Sequence, residues 1–251
     1  MIDIHSHILP GVDDGAKDME TSLSMLKIAQ KSGTDTMIAT PHYFMGYYQM
    51  ESSEIFRSVK ELNDKAKANN INVRILPGEE ICIDSHTVEL FEKGSIISLN
   101  GTSYMLLEFP LDKLPKNALD TFYELRIRGI KPILAHPERY MFFIQKPSLI
   151  NEFIEEGYYF QINTGSIKGI FGSKVQKTAL IYMEHGLCNF IASDAHSTGR
   201  RCPGINKEGI SEIIYKNITE NAEALVNGRD IKSDAQKIKE RSFFSFLRKQ
   251  V

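Results

Sequence analysis

Six short β-prone runs of this chain each lead into a histidine or an acid. Met1-Ile2-Asp3-Ile4 runs into His5-Ser6-His7, and Thr36-Met37-Ile38-Ala39-Thr40 runs through Pro41 into His42. Glu80 follows Val73-Arg74-Ile75-Leu76-Pro77-Gly78-Glu79, and Glu108 closes Tyr104-Met105-Leu106-Leu107. His136 closes Pro132-Ile133-Leu134-Ala135, and Asp194-Ala195-His196 follows Phe190-Ile191-Ala192-Ser193. Side chains two apart on a strand share a face, so His5 and His7 can grip one ion. Five of the seven histidines sit at such ends, joined by the carboxylates of Asp14, Glu80, Glu108 and Asp194. Metal-ligand residue types at one end of successive strands describe a metal site at the mouth of a barrel. Helix caps or a solvated rim account for two or three of these positions. They do not account for the set, because carboxylates crowded together without a cation repel one another.

Imidazole mixed with carboxylate, without cysteine, suits Mn, Fe, Zn or Co and does not choose among them. Three divalent ions set against four carboxylates would leave the site at about +2, a charge that attracts a phosphate dianion. Arg139, three residues after His136, and Arg200 or Arg201, shortly after His196, add guanidinium forks suited to phosphate oxygens. Each arginine alone would pass for a surface salt bridge; their place beside ligands on two separate loops assigns them to phosphate. Thiol chemistry of the tyrosine-phosphatase kind needs a cysteine six residues before an arginine. Val88, Asp194 and Glu208 stand there instead, after Cys82, Cys188 and Cys202.

The elements that must carry these residues alternate between strand and helix. Met19, Leu23, Leu26 and Ala29 recur at helical spacing, as do Ile55, Val59, Leu62 and Ala66. A helix is expected from Pro147, with Leu149, Ile150, Phe153 and Ile154 on one face and Gly157 past its end. Another carries Val175, Ala179, Tyr182 and Met183 and stops at Gly186. Strands near 1, 36, 73, 104, 132, 158 and 190 make seven, so a parallel α/β sheet is expected. A closed barrel is preferred over an open sheet because ligands from many strand ends converge only in a ring. Glu92-Lys93-Gly94 and Asn100-Gly101, around Ile96-Ile97-Ser98-Leu99, read as a hairpin-like insertion within 81–103. The 251 residues, 42% hydrophobic and 25% charged, are expected to form one domain over 1–251. Within it, 229–251 is a basic, aromatic tail suited to packing on the barrel, on a second subunit in a homo-oligomer, or on a membrane surface or kinase partner. A net charge of -2 gives no reason to expect stable nucleic-acid binding. No apolar run reaches the roughly 18 residues of a membrane span, no signal peptide is evident, and three scattered cysteines suit a reducing cytoplasm.

The order of His5-x-His7, Thr40-Pro41-His42, Gly78-x-Glu80, Glu108, His136-Pro137 and Asp194-x-His196 resembles the motif series of the polymerase and histidinol phosphatase (PHP) superfamily. His7-Ile8-Leu9-Pro10-Gly11-Val12-Asp13-Asp14-Gly15, Ala135-His136-Pro137-Glu138-Arg139-Tyr140 and Ser193-Asp194-Ala195-His196 resemble one branch closely. That branch is the bacterial metal-dependent protein-tyrosine phosphatases of capsule and exopolysaccharide synthesis. The resemblance spans residues 1 to about 205 and implies a distorted TIM-like (β/α)7 barrel holding three divalent ions, manganese first, with Fe, Zn or Co as alternatives. His5, His7, Glu80 and Asp194 would bind one ion, and Glu80 would bridge to a second completed by Glu108 and His136. Asp14, His42 and His196 would bind the third. Asp14 stands where several superfamily members have histidine, and Tyr43 where many have a second histidine after His42. Of the arginine doublet, the family pattern favours Arg201.

What the resemblance implies is hydrolysis of phosphotyrosine by water activated between the ions, with Arg139 and Arg201 offsetting charge on the equatorial oxygens. His42 or His196, where not fully taken up by an ion, would supply a proton, although a phenolate, with an unperturbed pKa near 10, leaves with less acid assistance than an alkoxide. The expected partner is a phosphotyrosine protein, the tyrosine-rich tail of a bacterial kinase controlling polysaccharide synthesis. Tyr47 and Tyr48, in the loop 43–48, suit either stacking on a phosphotyrosine ring or ordinary surface packing. The rival readings are a small-molecule phosphatase of the histidinol-phosphate type and a phosphodiesterase or nuclease. Asp14 argues against the first, and the lack of a basic stripe against the second.

Overall fold

A computed structural model describes residues 1–205, 207–231 and 233–239. Its strands are β1 Ile2–Ser6, β2 Thr36–Ala39, β3 His42–Tyr43, β4 Arg74–Pro77, β5 Glu80–Cys82, β6 Tyr104–Glu108, β7 Lys131–Ala135, β8 Tyr159–Asn163 and β9 Phe190–Ala192. The helices are α1 Met19–Lys31, α2 Ser52–Ala68, α3 Thr87–Glu92, α4 Ala118–Ile127, α5 Met141–Gln145, α6 Asn151–Glu155, α7 Thr164–Ile167, α8 Ser173–Glu184 and α9 Glu212–Val226. Every strand pairing is parallel, so the C-terminal ends of the strands gather on one side.

In the long helices the buried faces follow the periodicity, and in α1 a side-chain cap supports it. Asp18 caps α1 by accepting from Thr21 N at 2.8 Å, and Met25, Leu26 and Ala29 are buried beneath it. In α2 the buried set is Ile55, Val59, Leu62 and Ala66, the stripe legible in the sequence. The segment from Pro147 starts as a 3-10 turn, Pro147–Ile150, before continuing as α6.

The strands fall into two sheets, ordered β1-β2-β4 and β3-β5-β6-β7-β8-β9, not the single ring expected. The breaks have local causes. Thr40-Pro41 separates β2 from β3, and proline has no N–H to give a ladder. Gly78-Glu79 separates β4 from β5. A Cβ on Gly78 would lie 2.8 Å from Leu99 Cδ2 and 2.9 Å from Ile38 Cγ2, so a side chain there would crowd the core between the two sheets. The far edges also approach. Ser6 bridges Ala195 in parallel, Asp194 N donates to the His5 carbonyl and His7 N to the Ala195 carbonyl, both at 2.9 Å. Ile4, Ile38, Leu106, Ile133 and Phe190 share one buried cluster with Leu225 of α9, so strands of both sheets have a common core.

One expectation fails. The stretch 81–103 is no hairpin: it holds β5, then α3, then a 3-10 turn at Leu99–Gly101 in which Asn100 is left-handed. Buried Thr87 ties α3 to the preceding loop by accepting from Asp84 N at 2.9 Å, which favours helix over strand there. Of the tail 229–251, the residues 240–251 lie outside those described; Gln236 N donates to the His185 carbonyl and Ile238 N to Asn151 Oδ1, so the earlier part packs on α8 and α6.

Candidate metal centre

The strand ends bring together the residues singled out in the sequence. His5 and His7 are fully buried, with Nε2 atoms 3.2 Å apart. Each Nε2 lies 3.1 Å from Glu80 Oε2 and 3.5 Å from Asp194 Oδ1. His42 turns Nδ1 toward Glu80 Oε2 at 3.2 Å and Glu108 Oε1 at 3.0 Å, and Nε2 toward Asp14 Oδ1 at 3.4 Å. His196 Nε2 is 3.3 Å from Asp14 Oδ1, and His136 Nε2 is 2.8 Å from Glu80 Oε1 and 3.9 Å from Glu108 Oε2. Among the described residues, three groups have ligand atoms within 4.8 Å of one another: His5, His7, Glu80 and Asp194; His7, Asp14, His42 and His196; and His42, Glu80 and Glu108. His42 thus reaches both Asp14 and Glu108, spanning two of the ligand sets that the resemblance implies.

The backbone is bent to achieve this. His136 and Asp194 have positive φ, 33° and 50°, a conformation that costs a non-glycine residue energy and collects at functional sites. Buried Tyr140 holds the turn after β7: its hydroxyl donates to the Ala135 carbonyl and accepts from Phe109 N, both at 3.0 Å.

The electrostatics describe a centre in want of cations. Burial alone would push the Asp194 and Glu80 carboxyls up, but neighbouring imidazoles, and Arg201 for Asp194, hold both well below the usual range. The His42 imidazole is resisted by burial and by His7, yet Glu80, Asp14 and Glu108 lift it to about 10. Burial and His7 lower His196 to about 4. Protons on buried imidazoles therefore supply the positive charge that the carboxylates require, and divalent ions would replace them. The donor atoms fit that role: His42 Nδ1, Glu80 Oε2 and His196 Nε2 are buried and make no hydrogen bond.

Both loop arginines close on Asp194. Arg139 Nη1 donates to Oδ2 at 2.8 Å and Arg201 Nη2 to Oδ1 at 2.7 Å. Arg200 is exposed and donates to the Ile170 carbonyl, so Arg201 is the member of the doublet that faces inward. A cavity of about 280 Å³ opens here, lined by metal-type ligands, by Arg139 and Arg201, and by an apolar wall of Phe44, Tyr48, Phe109, Pro110 and Leu111. Tyr48 stacks on His42 with centroids 5.8 Å apart, while Tyr47 stacks on Phe44 and stays largely exposed. Cys82, read as a core residue, is buried and also lines the cavity. Burial and the nearby Glu108 and Glu80 carboxylates push its thiol up, the opposite of what a nucleophile needs.

Four contributors were not foreseen. Asp13 Oδ2 sits 2.7 Å from His7 Nδ1, Gln161 Oε1 sits 2.8 Å from His5 Nδ1, and Asn163 Nδ2 donates to Asp194 Oδ2 at 2.6 Å. Phe171 lies against both arginines. Asp13 had a signal, its adjacency to Asp14 in a loop just past His7; Gln161 and Asn163 had one in their spacing at a strand end; Phe171 had none.

The chain is similar to several known proteins. The sequence model of a family described as capsular polysaccharide synthesis, CpsB/CapC, matches residues 1–230. Tyrosine-protein phosphatase YwqE of Bacillus subtilis (strain 168) is 39% identical over 255 residues, covering 98% of this chain and 100% of that protein. Tyrosine-protein phosphatase CpsB of Streptococcus agalactiae serotype V is 32% identical, covering 81% of this chain and 86% of its own length. A chain from crystal structures of YwqE from Bacillus subtilis and CpsB from Streptococcus pneumoniae, described as unique metal-dependent tyrosine phosphatases, superposes with a TM-score of 0.90. It is 38% identical, and the match covers 96% of this chain and 100% of that one.

Proposed function

Because the chain belongs to the capsular polysaccharide synthesis CpsB/CapC family, we propose that it is a metal-dependent protein-tyrosine phosphatase. The observation that carries this reading is the buried meeting of His5, His7, Glu80 and Asp194 beside two inward-facing guanidiniums. We assign three divalent ions, manganese first, to His5, His7, Glu80 and Asp194; to Glu80, Glu108 and His136; and to Asp14, His42 and His196. Ions held there would acidify a water and place positive charge against the phosphoryl oxygens. Arg139 and Arg201 grip those oxygens and hold the phosphorus in line with the nucleophile. Phe44, Tyr48 and Phe109 receive the aromatic ring, and His42 or His196 would deliver a proton to the departing phenolate oxygen only through a ring nitrogen that no ion takes.

The scaffold reading is a distorted (β/α)7 barrel formed by 1–251. It is supported by two tandem pairs, β2 with β3 and β4 with β5, each acting as one interrupted strand, and by the Ser6–Ala195 bridge between the outer edges. A cytoplasmic phosphotyrosine protein, such as the tyrosine-rich tail of a polysaccharide-synthesis kinase, is the proposed substrate. No helix among the described residues is long and apolar enough to cross a membrane.

The test strips the protein of metal with a chelator and assays a phosphotyrosyl peptide before and after Mn2+ is restored. Activity is expected to vanish and return. Full-speed hydrolysis by the stripped protein would remove the reading, and faster turnover of histidinol phosphate than of the peptide would favour the small-molecule alternative.

A further inference from the structure

Gln161 and Asn163 are fully buried at the end of β8, two residues apart and so on one face of the strand. They connect two ligands that lie 189 positions apart in sequence (Asp194 and His5). His5 Nδ1 lies 2.8 Å from Gln161 Oε1, Gln161 Nε2 donates to Asn163 Oδ1 at 2.8 Å, and Asn163 Nδ2 donates to Asp194 Oδ2 at 2.6 Å. The direction of every link follows from one end. An ionised Asp194 only accepts, so Asn163 must turn its amide nitrogen toward it. The Asn163 oxygen then faces Gln161, which must offer nitrogen there and oxygen to His5. An amide oxygen cannot donate, so His5 carries its hydrogen on Nδ1. Nε2 keeps a lone pair, and Nε2 is the atom that meets His7 and Glu80.

We propose that Gln161 and Asn163 are positioning residues forming a directional amide relay, through which Asp194 dictates the nitrogen that His5 presents to an ion. The relay also commits Asp194 Oδ2 to Asn163 and Arg139, while Oδ1 accepts from Arg201 and faces His5 and His7 at 3.5 Å. His7 has the corresponding service from a carboxylate in direct contact, Asp13. His5 has a neutral amide at Nδ1, and the chain reaches a carboxylate two links further on. Outer partners of this kind fix ligand orientation and raise metal affinity. The inference rests on the reading that His5 and Asp194 share a divalent ion.

The experiment titrates metal-stripped, full-length protein with Mn2+ and counts bound ions by electron paramagnetic resonance. It compares wild type with Gln161→Met, Asn163→Leu and the double variant, after metal-free melting establishes that each is folded. Each single variant is expected to weaken ion binding about ten- to hundredfold. The double variant should bind no more weakly than the worse single, because either break disconnects the same chain. Singles that lower only the metal-free melting temperature, or losses that add in the double, overturn the relay. If the variants do not fold, 15N NMR of Zn2+-loaded wild type decides: a His5 proton on Nδ1 supports the relay, and one on Nε2 overturns it. Wild type that binds no ion removes the functional reading together with the relay, an outcome distinct from a binding wild type with indifferent variants.

Discussion

The Arg139 guanidinium carbon lies 4.6 Å from the centroid of the Phe171 ring. Arg201 approaches the same ring at 5.8 Å, so one aromatic ring contacts both cations that flank Asp194. A Cβ on Gly165 would come within 3.0 Å of Phe171 Cε2, which means the ring is seated against a residue with no side chain. A cation–π contact contributes about 0.5–2 kcal/mol, so Phe171→Ala should lower kcat/KM for a phosphotyrosyl peptide by about two- to thirtyfold. Phe171→Tyr should retain activity where Phe171→Leu does not. Equal kinetics for the leucine and tyrosine variants would show that the ring fills space and nothing more.

Arg200 and Arg201 separate a phosphate contact from a surface contact in adjacent residues. Arg201 donates into the cavity and Arg200 to the Ile170 carbonyl outside it. Hydrogen bonds between charged groups are worth about 1.5–3 kcal/mol, so Arg201→Ala should cost about ten- to hundredfold in kcat/KM. Arg200→Ala should stay within about twofold, because exposed contacts carry little. Reversed effects, read in the same steady-state assay, would shift the anion contact to Arg200.

Most of the proposed ligands were legible because they stand at or just past the end of an apolar run, although Asp14 lies in the loop beyond His7. Asp194 lies past the end of β9 with a left-handed backbone, φ 50°, which no strand rule foretells, whereas His5 with His7 came from period-two side-chain direction. Helix stripes such as Ile55, Val59, Leu62 and Ala66 were legible for the parallel reason. The breaks at Pro41 and Gly78 were not, because a strand interrupted by two residues reads locally as one strand; the division into two sheets depends on which neighbour each half finds. The 81–103 stretch misled because Glu92-Lys93-Gly94 is turn chemistry that also ends a helix, and α3 is too short for periodicity to declare it. Phe171 was invisible because its role arises from two arginines that come from different loops.

Protons and ions compete for His42. Its pKa of about 10 means that the ion-free centre holds a proton there at neutral pH, which an incoming cation must displace. Affinity for Mn2+ should therefore rise with pH, by up to about tenfold per unit for each proton released, between about pH 6.5 and about pH 8.5. The stability of the ion-free protein follows the opposite course. A pKa raised on folding contributes fully below the unfolded value near 6.5 and is lost as pH climbs through the folded one, about 10. Calorimetry in buffers of different ionisation enthalpy reads the released protons directly, and a pH-independent affinity would mean that His42 is neutral before binding.

Gly15 is held by proximity. Any Cβ there would lie 2.2 Å from the His7 carbonyl oxygen and 2.5 Å from His7 Cβ, while its N–H donates to Asp13 Oδ1 at 2.9 Å. Gly15→Ala must push the loop off His7 and disturb the carboxylate that orients that ring. Overpacking of this kind costs about 1–3 kcal/mol. A lowered melting temperature and weakened Mn2+ binding are expected together, and a variant with wild-type values in both would mean that the loop yields without moving His7.

The apolar wall should sort substrates by their leaving group. Phe44, Tyr48, Phe109 and Leu111 line the same cavity as the arginines, and Phe44 is 39% exposed, free to meet an incoming ring. An aromatic pair contributes about 0.5–1.5 kcal/mol beyond the area it buries, so Phe44→Ala should reduce kcat/KM for a phosphotyrosyl peptide by about two- to tenfold. Tyr48→Ala should do the same and also loosen His42, on which that ring stacks. An alkyl phosphate has no ring to place, and its hydrolysis should be little changed by Phe44→Ala. Measured side by side, the aryl-to-alkyl ratio should fall in that variant. An equal loss on both substrates would mean that Phe44 supports the metal centre, leaving ring selection to the rest of the wall.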